Sequence, residues 1–133
     1  MTTCYQWFSL PTRMSVRCPA CSGEAILERH KVVNNHSPIE GRLTCTACHA
    51  SRDRVVVRWP DDAFFRCEVR GQELWAWSEL HVRAIRDYVQ SSKRDPKAYP
   101  NFFAALMHLP RHFLVAKHRT VTVKALDKML ARA

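Results

Sequence analysis

The chain has 133 residues, 47% hydrophobic and 25% charged, with 21 Lys and Arg against 12 Asp and Glu and a formal net charge of +9. This length and balance suit one compact globular domain or two small modules, not a disordered chain. No run of about 18 apolar residues occurs, so no membrane-spanning helix is expected, and three glycines in all are too few for a Gly-rich phosphate loop.

Residues 1–14 gather Tyr5, Trp7, Phe8 and Leu10 ahead of Pro11. They read as an extended arm packed across the sheet that follows, with docking onto a partner as the alternative use. They lack a basic start, an apolar core and a small-residue cleavage site. No secretory leader is therefore expected, and the six cysteines are assigned to a reducing cytoplasm.

Two matched thiol pairs come next, Cys18-Pro19-Ala20-Cys21 and Cys45-Thr46-Ala47-Cys48. Each spacing lets two thiolates grip one ion from a tight turn, and together they supply the four soft ligands of a closed tetrahedral zinc site. The 23 residues between the pairs allow a strand out, a turn and a strand back. That is the layout of a zinc ribbon with one structural Zn²⁺ held by Cys18, Cys21, Cys45 and Cys48. Thiol–disulfide exchange through Cys18 and Cys21 is the competing reading. It expects the pair at a helix N-terminus beside a βαβ pattern, which is not visible here. His30, His36 and His49 lie near the cysteines, but four thiolates already fill the site. Cys4 and Cys67 lack a paired thiol and read as inert buried residues.

Residues 24–33 read as a strand, residues 34–38 as a turn cluster, residues 39–44 as the return strand, and residues 52–59 as a third strand ended by Pro60. Residues 64–69 and 73–77 flank Arg70-Gly71-Gln72, a hairpin in which glycine supplies a positive φ. The result is a small antiparallel sheet of four or five strands. Trp59, Phe64 and Phe65 stand beside Arg58 and Arg66. They suit a sheet core first and base stacking on a single strand second.

Helices follow. Ser78 is expected to cap a helix over 79–90, with Glu79 in its first turn and Leu80, His81, Val82, Ala84, Ile85, Tyr88 and Val89 on the buried arc. Residues 91–100 form a polar connector. Asn101 is expected to cap a short helix over 102–109, Pro110 to open another over 110–119, and Thr120 to cap a last one over 121–131. Leu74, Trp75 and Trp77 are expected to join the two halves. His108 and His112 are four apart, but Pro110 between them argues against a shared helical face.

The basic surplus is uneven. Residues 1–77 carry ten Lys and Arg against eight acids, and residues 78–133 carry eleven against four. Such a surplus favours a polyanionic partner. Arg111, His112, Lys117, His118, Arg119, Lys124 and Lys128 are the candidate phosphate contacts, with a merely solvated face as the plainer reading. Carboxylates are few, and no pair suggests acid–base or two-metal catalysis, so no enzyme is expected.

The two thiol pairs, the stretch Glu73–Val89 and the stretch Leu109–Leu130 resemble a group of small bacterial zinc-ribbon proteins. These join a ribbon of the transcription-factor-B type to a tryptophan-bearing strand end, a helix and a C-terminal helical pair. The resemblance covers residues 15–133 and implies a zinc-binding fold carried by Cys18, Cys21, Cys45 and Cys48. It implies no particular activity. The expected architecture is α+β: a four-cysteine ribbon with an aromatic arm over 1–77, then a basic helical region over 78–133. The expected function is non-catalytic binding of DNA or RNA. The alternative is a protein–protein adaptor, or a small subunit of a larger nucleoprotein, phage or defence complex.

Overall fold

The computed structural model describes residues 11–30 and 39–132. The arm's Tyr5, Trp7, Phe8 and Leu10, with Cys4, His36 and the turn cluster over 34–38, lie outside the described residues. The fold is α+β, and the described residues form six strands followed by three α-helices.

Four strands form one antiparallel sheet in sequence order: β1 (Arg13–Arg17), β2 (Glu24–Arg29), β3 (Ile39–Cys45) and β4 (Ser51–Val57). Alternation dictates the buried face. Met14 stands opposite Leu27, and Leu27 opposite Leu43; Val16 stands opposite Ala25, and Ala25 opposite Cys45. All six are buried, while Arg13, Glu28 and Arg42 point to solvent. A bulge between Gly41 and Leu43 shifts the β3–β4 register.

Of strand β1, only Arg13 and Met14 fall in the stretch read as the arm, and residues 15–17 were assigned no element. Its two apolar side chains, between arginines at each end, make a pattern too short to stand out in sequence. Its outer edge is covered: Ser15 N donates to Trp77 O at 2.6 Å, Arg17 N to Asp62 O at 2.9 Å, and Phe64 N to Ser15 O at 3.2 Å.

Strands β5 (Phe65–Val69) and β6 (Gln72–Ala76) form a separate two-stranded sheet, not an extension of the first. Their turn places Arg70 at φ 50° and Gly71 at φ 86°, both left-handed, as the hairpin reading requires. Strand β6 is buried on both faces. Leu74 and Ala76 join Phe65, Val82, Ile85, Phe113, Leu126 and Met129 in a helical core. Trp75 and Trp77 turn the other way, into the sheet core with Met14, Leu27, Leu43 and Trp59. The expected joint at Leu74, Trp75 and Trp77 therefore exists, because one strand shows opposite faces to two cores.

Helix α1 (Glu79–Gln90) has the expected bounds and cap, with Ser78 Oγ accepting from His81 N at 3.2 Å. Leu80 departs from the expected buried arc and is 66% exposed. It lies at the edge of the arc in the first turn. Helix α2 (Phe103–Met107) is shorter than expected. Asn101 does not cap it, because residues 100–102 form a 3₁₀ turn and Phe102 takes the cap position.

The two helices expected over 110–119 and 121–131 are replaced by a 3₁₀ turn, Arg111–Phe113, and one helix, α3 (Ala116–Ala131). Pro110 stays extended (φ −56°, ψ 138°) ahead of the turn, and Thr120 lies inside α3. No Gly or Pro interrupts 116–131, so nothing local ends the helix at Thr120. Helix α3 packs on α1 and β5, burying Thr122, Leu126 and Met129. Among the described residues, no helix is long and apolar enough to cross a membrane.

His81 is 2% exposed and lies between the rings of Trp77 and Phe102, each centroid 4.9 Å away. Its Nδ1 accepts from Trp77 N at 3.0 Å, so a neutral ring carries its proton on Nε2. Burial pushes its pKa down to about 3. Below the unfolded value of about 6.5, the folded state then binds fewer protons than the unfolded state. The stability this provides is complete above pH of about 6.5. It is lost as pH falls towards 3, by about 1.4 kcal/mol per unit. His81→Asn, whose side-chain oxygen can replace Nδ1 as acceptor, should flatten that slope in denaturant unfolding between about pH 6 and pH 4. Metal release acts on both proteins alike, so parallel profiles would contradict a titrating His81.

Candidate functional site

The two thiol pairs sit in the β1–β2 and β3–β4 turns, at the same end of the four-stranded sheet. The four Sγ atoms all lie within 4.8 Å of one another. Sulfurs pair across the turns: Cys18 to Cys48 at 3.8 Å, and Cys21 to Cys45 at 3.5 Å. Four thiolates bound at about 2.3 Å to a tetrahedral ion stand about 3.8 Å apart. The donor set and its spacing therefore fit one such ion. Cys18 and Cys45 are buried, while Cys21 and Cys48 are exposed.

Backbone N–H groups point at the sulfurs in both turns. Ala20 donates to Cys18 Sγ at 3.4 Å, Gly23 to Cys21 at 3.4 Å, Ala47 to Cys45 at 3.3 Å and Cys48 to Cys45 at 3.4 Å. These donors favour the thiolate form that a metal requires. The Cys48 N–H, aided by that of Ala47 and opposed by burial, lowers the Cys45 thiol to about 6. At Cys21 the Gly23 N–H pulls down, but the neighbouring Cys45 and Cys48 thiols and burial outweigh it, and the pKa rises to about 12. The protons are thus held unequally, because closely spaced thiolates repel unless a cation joins them.

The residue after each second cysteine is left-handed: Ser22 at φ 65° and His49 at φ 62°. This shared bend turns both loops back onto their strands. Gly23 separates the loops, for a Cβ there would meet Ala47 Cβ at 2.9 Å. His49 is not among the clustered metal-binding groups, and His30 Nε2 is hydrogen-bonded to Asp53 O at 2.5 Å. Cys67 is half-buried on β5, and burial pushes its thiol up to about 11.

The candidate phosphate contacts are divided. His112 and His118 face inward, with ring centroids 4.3 Å apart. His112 Nε2 is hydrogen-bonded to Val69 O at 2.8 Å, and His118 Nδ1 to His112 O at 2.8 Å. They fasten the start of α3 to the β5–β6 turn. Arg111, Lys117, Arg119, Lys124 and Lys128 are exposed, but they do not share one face. Arg111 lies in the 3₁₀ turn. Lys117, Lys124 and Lys128 fall within about 40° of one another around α3, and Arg119 stands on the far side. Among the described residues, none of these three lysines joins an ion pair. Asp127, the one acid of α3, is held by Arg86 of α1 at 2.5 Å. The α3 stripe therefore keeps its positive charge.

Trp59, read as a candidate stacking ring, is buried and meets Trp75 edge to face at 5.5 Å within the sheet core. Phe65 is buried in the helical core, and only Phe64 is half-open. No protein-family model, curated protein or solved structure matches the chain, and its likeness to zinc ribbons rests on the four clustered cysteines.

Proposed function

We propose that the protein binds nucleic acid through the exposed face of α3, and that its cysteines hold one structural zinc in a ribbon of the transcription-factor-B kind. The observation that carries this reading is the Lys117, Lys124 and Lys128 stripe, unpaired while Asp127 is engaged by Arg86. Helical rise spaces these lysines by about 10 Å and about 6 Å. Such a row can displace counterions from a phosphate backbone. The metal centre supplies rigidity, since four thiolates leave no open coordination position for chemistry. Free thiolate ligands suit a reducing compartment such as the cytoplasm.

The test is the salt dependence of binding to labelled DNA and RNA between about 50 and about 200 mM salt. Replacing Lys117, Lys124 and Lys128 together by Ala should flatten the log–log slope by about 2 on a single strand and about 2.7 on a duplex. An unchanged slope would remove α3 as the contact.

One observation favours the adaptor reading. Leu80, Phe103 and Met107 are 66%, 37% and 56% exposed, and partner proteins dock on apolar surface of this kind. Under that reading, co-purification would return a stable protein partner, and Met107→Asp would release it while the lysine variant would not.

A further inference from the structure

A cleft of about 620 Å³ opens where α3 ends. Its walls bring together parts far apart in sequence: Arg17 of β1, Ser22 of the first thiol loop, Phe64, Arg66 and Glu73 of the hairpin region, and Arg132 just past α3. Arg17 Nη2 and Arg66 Nη1 both donate to one acceptor, Asp61 O, at 3.4 and 3.0 Å. Two guanidinium groups are thus held side by side despite their like charge. Arg132 lies over the Phe64 ring, 5.9 Å from its centroid. The cleft also holds Glu68 and Glu73; Arg66 pairs with Glu73, Arg17 Nη2 lies 4.0 Å from Asp62 Oδ1, and among the described residues Arg132 joins no ion pair. Arg132 follows Lys128 by four residues, which places it one turn further along the lysine stripe.

We propose that this cleft receives one unpaired nucleotide of a single strand whose backbone runs along Lys117, Lys124 and Lys128. Its phosphate meets Arg17 and Arg132, and its base lies against Phe64 in place of, or sandwiched with, the Arg132 guanidinium. The volume falls within the range of small-ligand sites, about 300–1,000 Å³. Arginine and an aromatic ring are the pair that hold a base without reading its sequence. A base inside a blunt duplex cannot enter, so the cleft selects single strands. The inference rests on the nucleic-acid reading of α3 and adds strand type and a base-binding position to it.

The experiment measures affinity of the zinc-loaded protein for an oligothymidylate of about 12 nucleotides, for a blunt duplex of equal length, and for free thymidine monophosphate. The native protein should prefer the single strand by about tenfold, the order of one stacked base. Phe64→Leu, which keeps apolar bulk for the core, should lose that preference and leave duplex binding unchanged. Arg132→Gln should weaken single-strand binding and flatten its salt slope by about 0.7. Thermal melts should confirm that both variants fold. Equal affinity for the two strand types in the native protein, or equal losses on both in the variants, overturns the cleft. So does mononucleotide binding as tight as that of the oligonucleotide, which would make the site one for a free nucleotide. If the triple lysine variant weakens both strand types while Phe64→Leu and Arg132→Gln change neither, only the cleft assignment fails. If neither nucleic acid binds at all, both readings fail together.

Discussion

Cys45→Ser should lose the bound metal and unfold the four-stranded sheet. The native protein should carry one zinc per chain by native mass spectrometry, and the variant well under half of that. Cys45 is buried, its Sγ lies 3.5 Å from that of Cys21, and it receives N–H groups from Ala47 and Cys48. A serine hydroxyl is a poor substitute for a soft thiolate and retains its proton at neutral pH. An ion held by the four cysteines would join two turns at one end of the sheet, so its loss would free the β1–β2 and β3–β4 connections together. Structural zinc contributes about 10–16 kcal/mol in small peptides, comparable with the whole net stability of a domain, about 5–15 kcal/mol. Near-ultraviolet dichroism of Trp59, Trp75 and Trp77 reports this core directly and should collapse. A folded, fully metal-loaded Cys45→Ser protein would contradict the ligand set.

The second large effect is expected at Trp75. It is 4% exposed and lies on β6, the strand shared by both cores. Its ring meets Trp59 edge to face at 5.5 Å and Trp77 at 5.7 Å. Trp75→Ala removes the largest apolar surface that the hairpin presents to the sheet, and should cost about 3–5 kcal/mol. It should also separate two events expected to coincide in the native protein: metal release from the sheet half and loss of helicity from the helical half. Denaturant titration followed by a zinc-sensitive dye and by far-ultraviolet dichroism resolves the two. A loss below about 1 kcal/mol, with both probes still coincident, would mean that Trp75 does not join the cores.

These predictions rest on features with unequal visibility in the sequence. The four cysteines were legible because their spacing is local: two residues between thiols define a turn that aims both at one ion. The hairpin was legible through Gly71, and α1 through Ser78 and its amphipathic period. Each of these signals acts over a few residues. The boundaries after residue 100 were less legible. Pro110 and Thr120 both carry helix-start signals, but Pro110 precedes only a single 3₁₀ turn and Thr120 lies inside α3. The continuous helix Ala116–Ala131 forms because Thr122, Leu126 and Met129 pack against α1 and β5, which outweighs the local preference of a threonine. With that helix boundary, Arg111 and His112 stand apart from His118 and Arg119, and of the seven candidate contacts Lys117, Lys124 and Lys128 form one exposed stripe.

The sequence by itself determined the metal-binding donor set, the strand-then-helix order, and the excess of positive charge in the last 56 residues. These are properties of composition and of spacing along the chain. Only the tertiary structure decided which charges remain unpaired. Arg86 reaches across 41 residues to hold Asp127, and Asp61 O draws Arg17 and Arg66 together. It also decided that β6 serves two cores and that the end of α3 meets β1 in one cleft. Such pairings depend on distances in space between residues remote in sequence, and no local period encodes them. Burial settles them, because each strand and helix turns its apolar face inward first, and the polar groups meet where that packing leaves them.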